Sequence, residues 1–272
     1  PAHMRLLAQE IADFHGQAAV AAADTRFGRP LLVLAPALDN LDALQALLPD
    51  AADRQRIAVL DAWTRDEYAR CEAALAARRR GGYVRECHGD LHLGNLVLLA
   101  GNRADASCQN LASGPAERIL PFDCIEFNED FRWIDVAAEL AFTLVDLRDQ
   151  HRPDLAAALL DEWLALSGDF DALRVLRFYG VYRALVRAKV TAIRAQQEDT
   201  DRAGDDLAAA RSYLDLAQAL TAPAAPTLAI TCGLSGAGKS VAARARVLAD
   251  ARCLTIRLRS DVERKRLFSL TA

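Results

Sequence analysis

The stretch that most limits the possible folds is Gly233-Leu234-Ser235-Gly236-Ala237-Gly238-Lys239-Ser240, a complete G-x-x-x-x-G-K-S pattern. The apolar run Leu228-Ala229-Ile230-Thr231-Cys232 precedes it, and residues 241–251 follow with helical character. Strand, glycine loop and helix in that order build a phosphate cradle. The glycines let backbone N–H groups face the anion, and the helix N-terminus adds partial positive charge. On this reading Gly233, Ser235, Gly236, Ala237, Gly238, Lys239 and Ser240 bind ATP, with Lys239 on the β and γ phosphates and Ser240 on Mg²⁺. A second strand is expected at residues 253–258.

A second constellation lies far upstream. His88-Gly89-Asp90-Leu91-His92-Leu93-Gly94-Asn95 sits between strand-like residues 83–87 and 96–99, and a third short strand, 119–122, runs into Asp123. Asp90, an asparagine five residues on, and a further aspartate after another strand suit phosphoryl transfer. One carboxylate accepts the proton of the acceptor hydroxyl, and an amide oxygen with a second carboxylate holds Mg²⁺ against the nucleotide phosphates. The spacing has a mechanical reason: a short loop must carry the base outward and then turn back to bring the amide to the metal.

His88-x-Asp90-x-x-x-x-Asn95 matches the H-R-D-x-x-x-x-N spacing of kinase catalytic loops, with glycine in place of arginine. As a whole, residues 88–95 resemble the signature of the aminoglycoside phosphotransferase-like kinases, which share the protein-kinase fold and phosphorylate small molecules. The resemblance implies Asp90 as catalytic base, Asn95 as a Mg²⁺ ligand, and Asp123 as counterpart of the D-F-G aspartate. It covers residues 1–220, the larger lobe of that fold. Asp123 is followed by Cys-Ile-Glu rather than Phe-Gly, and no A-P-E segment follows, so a hydroxylated small molecule is favoured over a protein as acceptor. Arg259-Ser260-Asp261 and Arg264-Lys265-Arg266 resemble the substrate-side segment of small phosphate-loop kinases. The order of the parts resembles bacterial fusions of a phosphotransferase with an ATP-binding protein.

The expected fold is therefore α-rich α/β. A protein-kinase-like C-terminal lobe occupies 1–220, Thr221-Ala222-Pro223-Ala224-Ala225-Pro226 forms a proline-stiffened linker, and 227–272 form part of a P-loop NTPase domain. The chain reads as a piece of a longer protein. The alternative reading is a nucleotide-binding regulatory module whose kinase-like lobe is idle. Helices are expected at 4–22, 39–48, 52–80, 134–147, 154–166, 171–197 and up to 220. Residues 101–117 read as a polar loop. The run Arg78-Arg79-Arg80-Gly81-Gly82 reads as a solvated helix end. In the 171–197 helix, Leu176, Tyr179, Tyr182, Val186, Val190 and Ile193 are expected inward, with Arg183, Arg187 and Arg194 on a solvated or domain-facing stripe. His15 reads as structural, since no ligand-type residue stands at matching spacing.

With 33 basic and 37 acidic residues the net charge is −4, which leaves no excess of cations to neutralise a nucleic-acid backbone. No apolar run approaches the ~18 residues of a membrane span. The six cysteines include no C-x-x-C pair, and several lie in apolar runs, which suits a reducing, cytoplasmic setting.

Overall fold

The computed structural model describes residues 2–100, 117–197 and 200–268. Helices dominate: α1 (Ala2–Gln17), α2 (Pro30–Leu47), α3 (Ala51–Arg80), the single turn α4 (Glu129–Arg132), α5 (Val136–Asp149), α6 (Pro153–Ser167), α7 (Leu173–Gln197), α8 (Thr200–Thr221), α9 (Lys239–Leu248) and α10 (Ser260–Leu267). Four short strands, β1 (Val84–Glu86), β2 (Leu96–Ala100), β3 (Glu117–Pro121) and β4 (Trp133–Asp135), carry the chain between α3 and α5.

The helices enclose two apolar cores. One is built from α1, α3, α5, α6 and the first half of α7, with Leu7, Leu140, Leu159, Trp163 and Phe178 at its centre. The other joins α2, α3, α7 and α8 through Leu41, Leu44, Ile57, Leu60, Leu185 and Leu214. α5 lies between them and is buried on every side from Val136 to Leu147. No helix among the described residues is long and apolar enough to cross a membrane.

Several sequence expectations need correction. α2 begins at Pro30, nine residues before the expected start. Proline at the first helical position has its φ preset for the helix, but Leu31 and Leu32 are exposed, so the burial periodicity that marks a helix is missing there. The strand-like runs 83–87, 96–99 and 119–122, read as one small sheet, do not form a single sheet among the described residues. β1 pairs antiparallel with β4, and β2 with β3, as two separate ribbons. Residues 133–135, the last two of them read as the start of a helix, supply the partner that β1 needs. On α7, Val190 and Ile193 face outward, while Val175, Phe178, Val181, Arg183 and Ala188 are buried.

Arg78 is not at a solvated helix end. It is 3% exposed and forks onto Asp135 and Asp169 through four hydrogen bonds of 2.7–2.8 Å. Burial opposes its charge, but the bonds to Asp169 and Asp135 outweigh that and push its pKa upward. Arg79 donates to the carbonyls of Ala23, Thr25 and Phe27, tying the loop before α2 to the end of α3. The polar loop expected at 101–117 lies outside the described residues except for Glu117, which opens β3.

Beyond α8, residues 228–232 and 253–258, expected as strands, have no regular secondary structure, and Cys253 takes φ +55°. A strand needs a neighbour for its N–H and C=O groups, and Leu228 and Ile230 stand exposed. This part is fastened to α6 instead. Arg257 forks onto Asp161 at 3.1 and 2.6 Å, Arg244 pairs with Glu162 at 2.8 Å, and Arg266 donates to the Ala165 carbonyl at 2.7 Å.

Candidate functional site

The loop 88–95 lies along α5, and α5 holds it by its backbone. Glu139 Oε1 accepts from Gly89 N at 2.8 Å, Thr143 Oγ1 donates to Leu91 O at 2.6 Å, and Asp146 Oδ2 accepts from Leu93 N at 3.0 Å. These helix positions are four and three residues apart, on one face. A helix rises ~1.5 Å per residue and an extended chain ~3.3 Å. Steps of about 6 and 4.5 Å along α5 thus track alternate residues of the loop.

Each clamp has its own support. Glu139 Oε2 lies 2.9 Å from His15 Nε2 on α1. Complete burial pushes the Glu139 carboxyl up, but His15, the Gly89 N–H and His88 together hold it below its usual value. Asp146 Oδ1 accepts from Tyr213 Oη at 2.8 Å and lies 3.3 Å from Arg187 Nε. Gly89 sits at φ +88°, and a Cβ there would come within 2.6 Å of the Phe131 carbonyl oxygen, so the position demands glycine.

Within the loop, Asp90 is the partly exposed carboxylate. Asn95, itself buried, donates Nδ2 to Asp90 O at 3.0 Å and to Asp90 Oδ2 at 3.1 Å. His92 Nε2 lies 3.4 Å from the same Oδ2, and its Nδ1 accepts from Gly94 N at 3.0 Å. Desolvation raises the Asp90 pKa, but His92, then Arg183 and Arg187, outweigh it and leave the carboxyl below its ordinary value. His88 uses both ring nitrogens: Nε2 donates to Phe122 O at 2.8 Å, and Nδ1 accepts from Asp90 N at 3.3 Å. That bond, with Phe122 N to Asn95 O at 3.0 Å and Ile125 N to His88 O at 3.1 Å, sews the end of β3 onto the loop. Asp123 therefore leaves β3 beside His88 and Asn95. Its φ is +60°, its side chain is exposed, and no ion-pair partner holds it among the described residues.

The donor set suits Mg²⁺. Both hydrogen bonds of the Asn95 amide go out through Nδ2, so Oδ1 stays available, and the Asp123 carboxylate is unpaired. Hard oxygen donors of this kind match a hard cation.

In the glycine loop, Gly236 and Gly238 both take φ +76°, a region that favours glycine. Gly238 caps α9 with no side-chain hydrogen bond to the first N–H groups, which leaves those donors for an anion. Lys239 Nζ donates to the carbonyls of Gly233 (2.8 Å) and Leu234 (2.6 Å), across the mouth of the loop. Ser235, Ala237 and Ser240 are exposed along it. Among the described residues no hydrogen bond or ion pair links this loop to the Asp90 loop.

Sequence spacing missed four residues here: Glu139, Thr143, Asp146 and Arg183. The signal for Glu139 and Asp146 was present, because carboxylates in a helix apolar all round must have partners. Of the expected solvated or domain-facing stripe, Arg194 is exposed, while Arg183 is buried and Arg187 half-buried. Arg183 is 5% exposed and donates Nε to Ala138 O at 3.1 Å, while Arg187 joins Tyr213 and Asp146. His15, which lacked a ligand-type partner by spacing, has Cys87 and Glu139 beside it, with ligand atoms within 4.8 Å of one another.

Over 173 residues the chain is 31% identical to uncharacterized proteins of Mycobacterium bovis and Mycobacterium tuberculosis. The alignment covers 64% of this chain and 31% of each relative, so the chain spans about a third of the length of the curated relatives it matches. No solved structure matches. Residues 228–272 match the family model described as an AAA domain. The chain thus carries, in its last part, a P-loop nucleotide-binding module of the kinase-like kind.

Proposed function

We propose that residues 1–220 are the larger lobe of a small-molecule kinase, joined through 221–226 to a P-loop kinase module that begins at 227, and that the lobe transfers the γ-phosphate of ATP to an alcohol. The observation that carries this reading is the double hydrogen bond from Asn95 to Asp90. It orients one carboxylate for proton acceptance and leaves the amide oxygen Oδ1 free to accept a cation, which is the division of labour phosphoryl transfer requires.

In this mechanism Asp90 Oδ accepts the proton of the acceptor hydroxyl as that oxygen attacks phosphorus. A carboxylate below its ordinary pKa stays ionised and orients the nucleophile. Asn95 Oδ1 and Asp123 would hold Mg²⁺, which offsets negative charge on the phosphate oxygens when bound. His88 and Glu139 fix the loop and do not meet the acceptor. In the P-loop module, the α9 N-terminus, Lys239 and Ser240 bind nucleotide phosphates.

The test is transfer from γ-labelled ATP to a panel of hydroxylated acceptors by the full-length protein. Asp90→Ala should lower transfer by at least ~10²-fold, with folding checked by circular dichroism; a smaller loss removes Asp90 as base. A second reading, a nucleotide-binding regulator with an idle lobe, is favoured by one observation: the family match covers the P-loop part alone. It predicts that Lys239→Ala abolishes ATP binding while Asp90→Ala changes nothing measurable.

A further inference from the structure

A cavity of about 210 Å³ opens between α2, the α4–β4 corner and α7. Its walls are aromatic: Phe27 stacked on Trp133 at 5.4 Å, with Phe131, Tyr179 and Tyr182. Arg183 is the polar group that lines it without a charge partner. Two acids also reach the cavity, but both are already neutralised. Asp135 is held by Arg78, and Asp130 by Arg26 at 2.8 and 2.9 Å.

Arg183 differs from the other buried cations. The residue is 5% exposed, and among the described residues it has no carboxylate within 4 Å and makes one hydrogen bond, through Nε. No acceptor among the described residues engages its Nη atoms. The ring faces of Phe142 (4.7 Å) and Tyr182 (5.3 Å) hold it in place. The Nη amino groups are not sealed from solvent, so they stay open to a ligand that enters the cavity. The planar anion whose geometry fits that fork is a carboxylate.

The cavity also adjoins the Asp90 loop. Phe131, on its wall, presses its carbonyl against Gly89. Phe142, under Arg183, contacts the His92 ring at 5.7 Å, and His92 reaches Asp90.

Building on the phosphotransfer reading, we infer that this cavity is the acceptor site and that it takes a single-ring hydroxylated carboxylate, its carboxylate on Arg183 and its ring between the aromatic walls. The volume lies below the ~300–1,000 Å³ of pockets for drug-sized ligands, which excludes a multi-ring aminoglycoside from this space. The charge also has the wrong sign for a polyamine.

The test uses three probes of one shape: 4-(hydroxymethyl)benzoate, 4-(hydroxymethyl)benzylamine and 4-methylbenzyl alcohol. Binding to the full chain without nucleotide is followed by ligand-observed NMR titration. The carboxylate should bind at least roughly tenfold tighter than the amine or the neutral alcohol. Arg183→Met should erase that preference and Arg183→Lys should keep part of it. Equal or tighter binding of the amine overturns the inference, as does no saturable binding of the carboxylate up to roughly 10 mM. If Arg183→Met does not fold, the comparison of the three probes on the native protein decides alone. Transfer assays on the same probes separate the two claims. Transfer without charge preference overturns the cavity assignment and leaves the kinase reading intact. Arg183-dependent binding of the carboxylate, with other alcohols phosphorylated and this one not, overturns the cavity as acceptor site.

Discussion

Arg78→Met tests the most heavily hydrogen-bonded ion cluster among the described residues. Arg78, Asp135 and Asp169 are 3%, 3% and 5% exposed, and one guanidinium supplies all four hydrogen bonds between them. Methionine fills much of the arginine stem but leaves two buried carboxylates without a cation. Removing one partner of a buried charge pair costs about 3–5 kcal/mol. For a chain of this size each kcal/mol shifts Tm by ~2–4 °C, so Tm should fall by roughly 6–20 °C. The loss should depend on pH in a defined direction. Unpaired and buried, the two acids acquire folded-state pKa values above their unfolded ones, so the penalty grows as pH rises through the ordinary carboxylate range and eases below it. Urea unfolding at pH 7 and pH 5 measures both. The variant Arg78→Met/Asp135→Asn/Asp169→Asn removes the charges while sparing the caps on Ala137 N and Ala172 N, and should recover at least ~1 kcal/mol. A loss below about 1 kcal/mol for Arg78→Met, or no recovery in the triple variant, refutes the reasoning.

Gly89→Ala forces a side chain into a left-handed conformation against a backbone oxygen; thermal melts should show ~1–3 kcal/mol lost, and transfer should fall with it. The Asp90 carboxyl lies below its usual value, so the acid limb of the kcat/KM profile should lie below about pH 4. His92→Ala removes the hydrogen bond and moves that limb to higher pH. Burial pushes the Cys71 thiol up to about 12 and the Cys87 thiol far above its usual value, whereas Cys232, next to Gly233, is exposed. A thiol reagent at pH 8 should therefore label Cys232 in the native protein, more slowly with ATP present, and reach Cys71 and Cys87 only on unfolding.

The features legible in the sequence were those governed by local chemistry. α3 ends where cations meet two glycines, and the loops around Asp90 and Gly233 carry their spacing in the chain itself. What could not be read depended on partners distant in sequence. Arg78 looked like a helix-end cation until Asp135 and Asp169, 57 and 91 residues away, closed on it. β4 could not be told from helix without β1. Arg183 sits on α7 at a position whose outward or inward sense is set by how α5 packs, and one helix's periodicity does not reveal it. Glu139 and Asp146 were visible as charges in an apolar helix; their targets were not, because backbone groups leave no mark in composition.

That preference of α5 for backbone has a further consequence. A helix whose hydrogen bonds to a loop all go to N–H and C=O groups depends little on the side chains the loop displays to solvent, but is sensitive to how many residues it contains. Between Gly89 and Leu93, substitutions at Asp90 or His92 leave every clamp intact, whereas gaining or losing one residue puts all three out of step. The arrangement separates two demands on the segment: its length is fixed by the helix beneath it, and the chemistry of its outward side chains, at Asp90 and His92, is set independently.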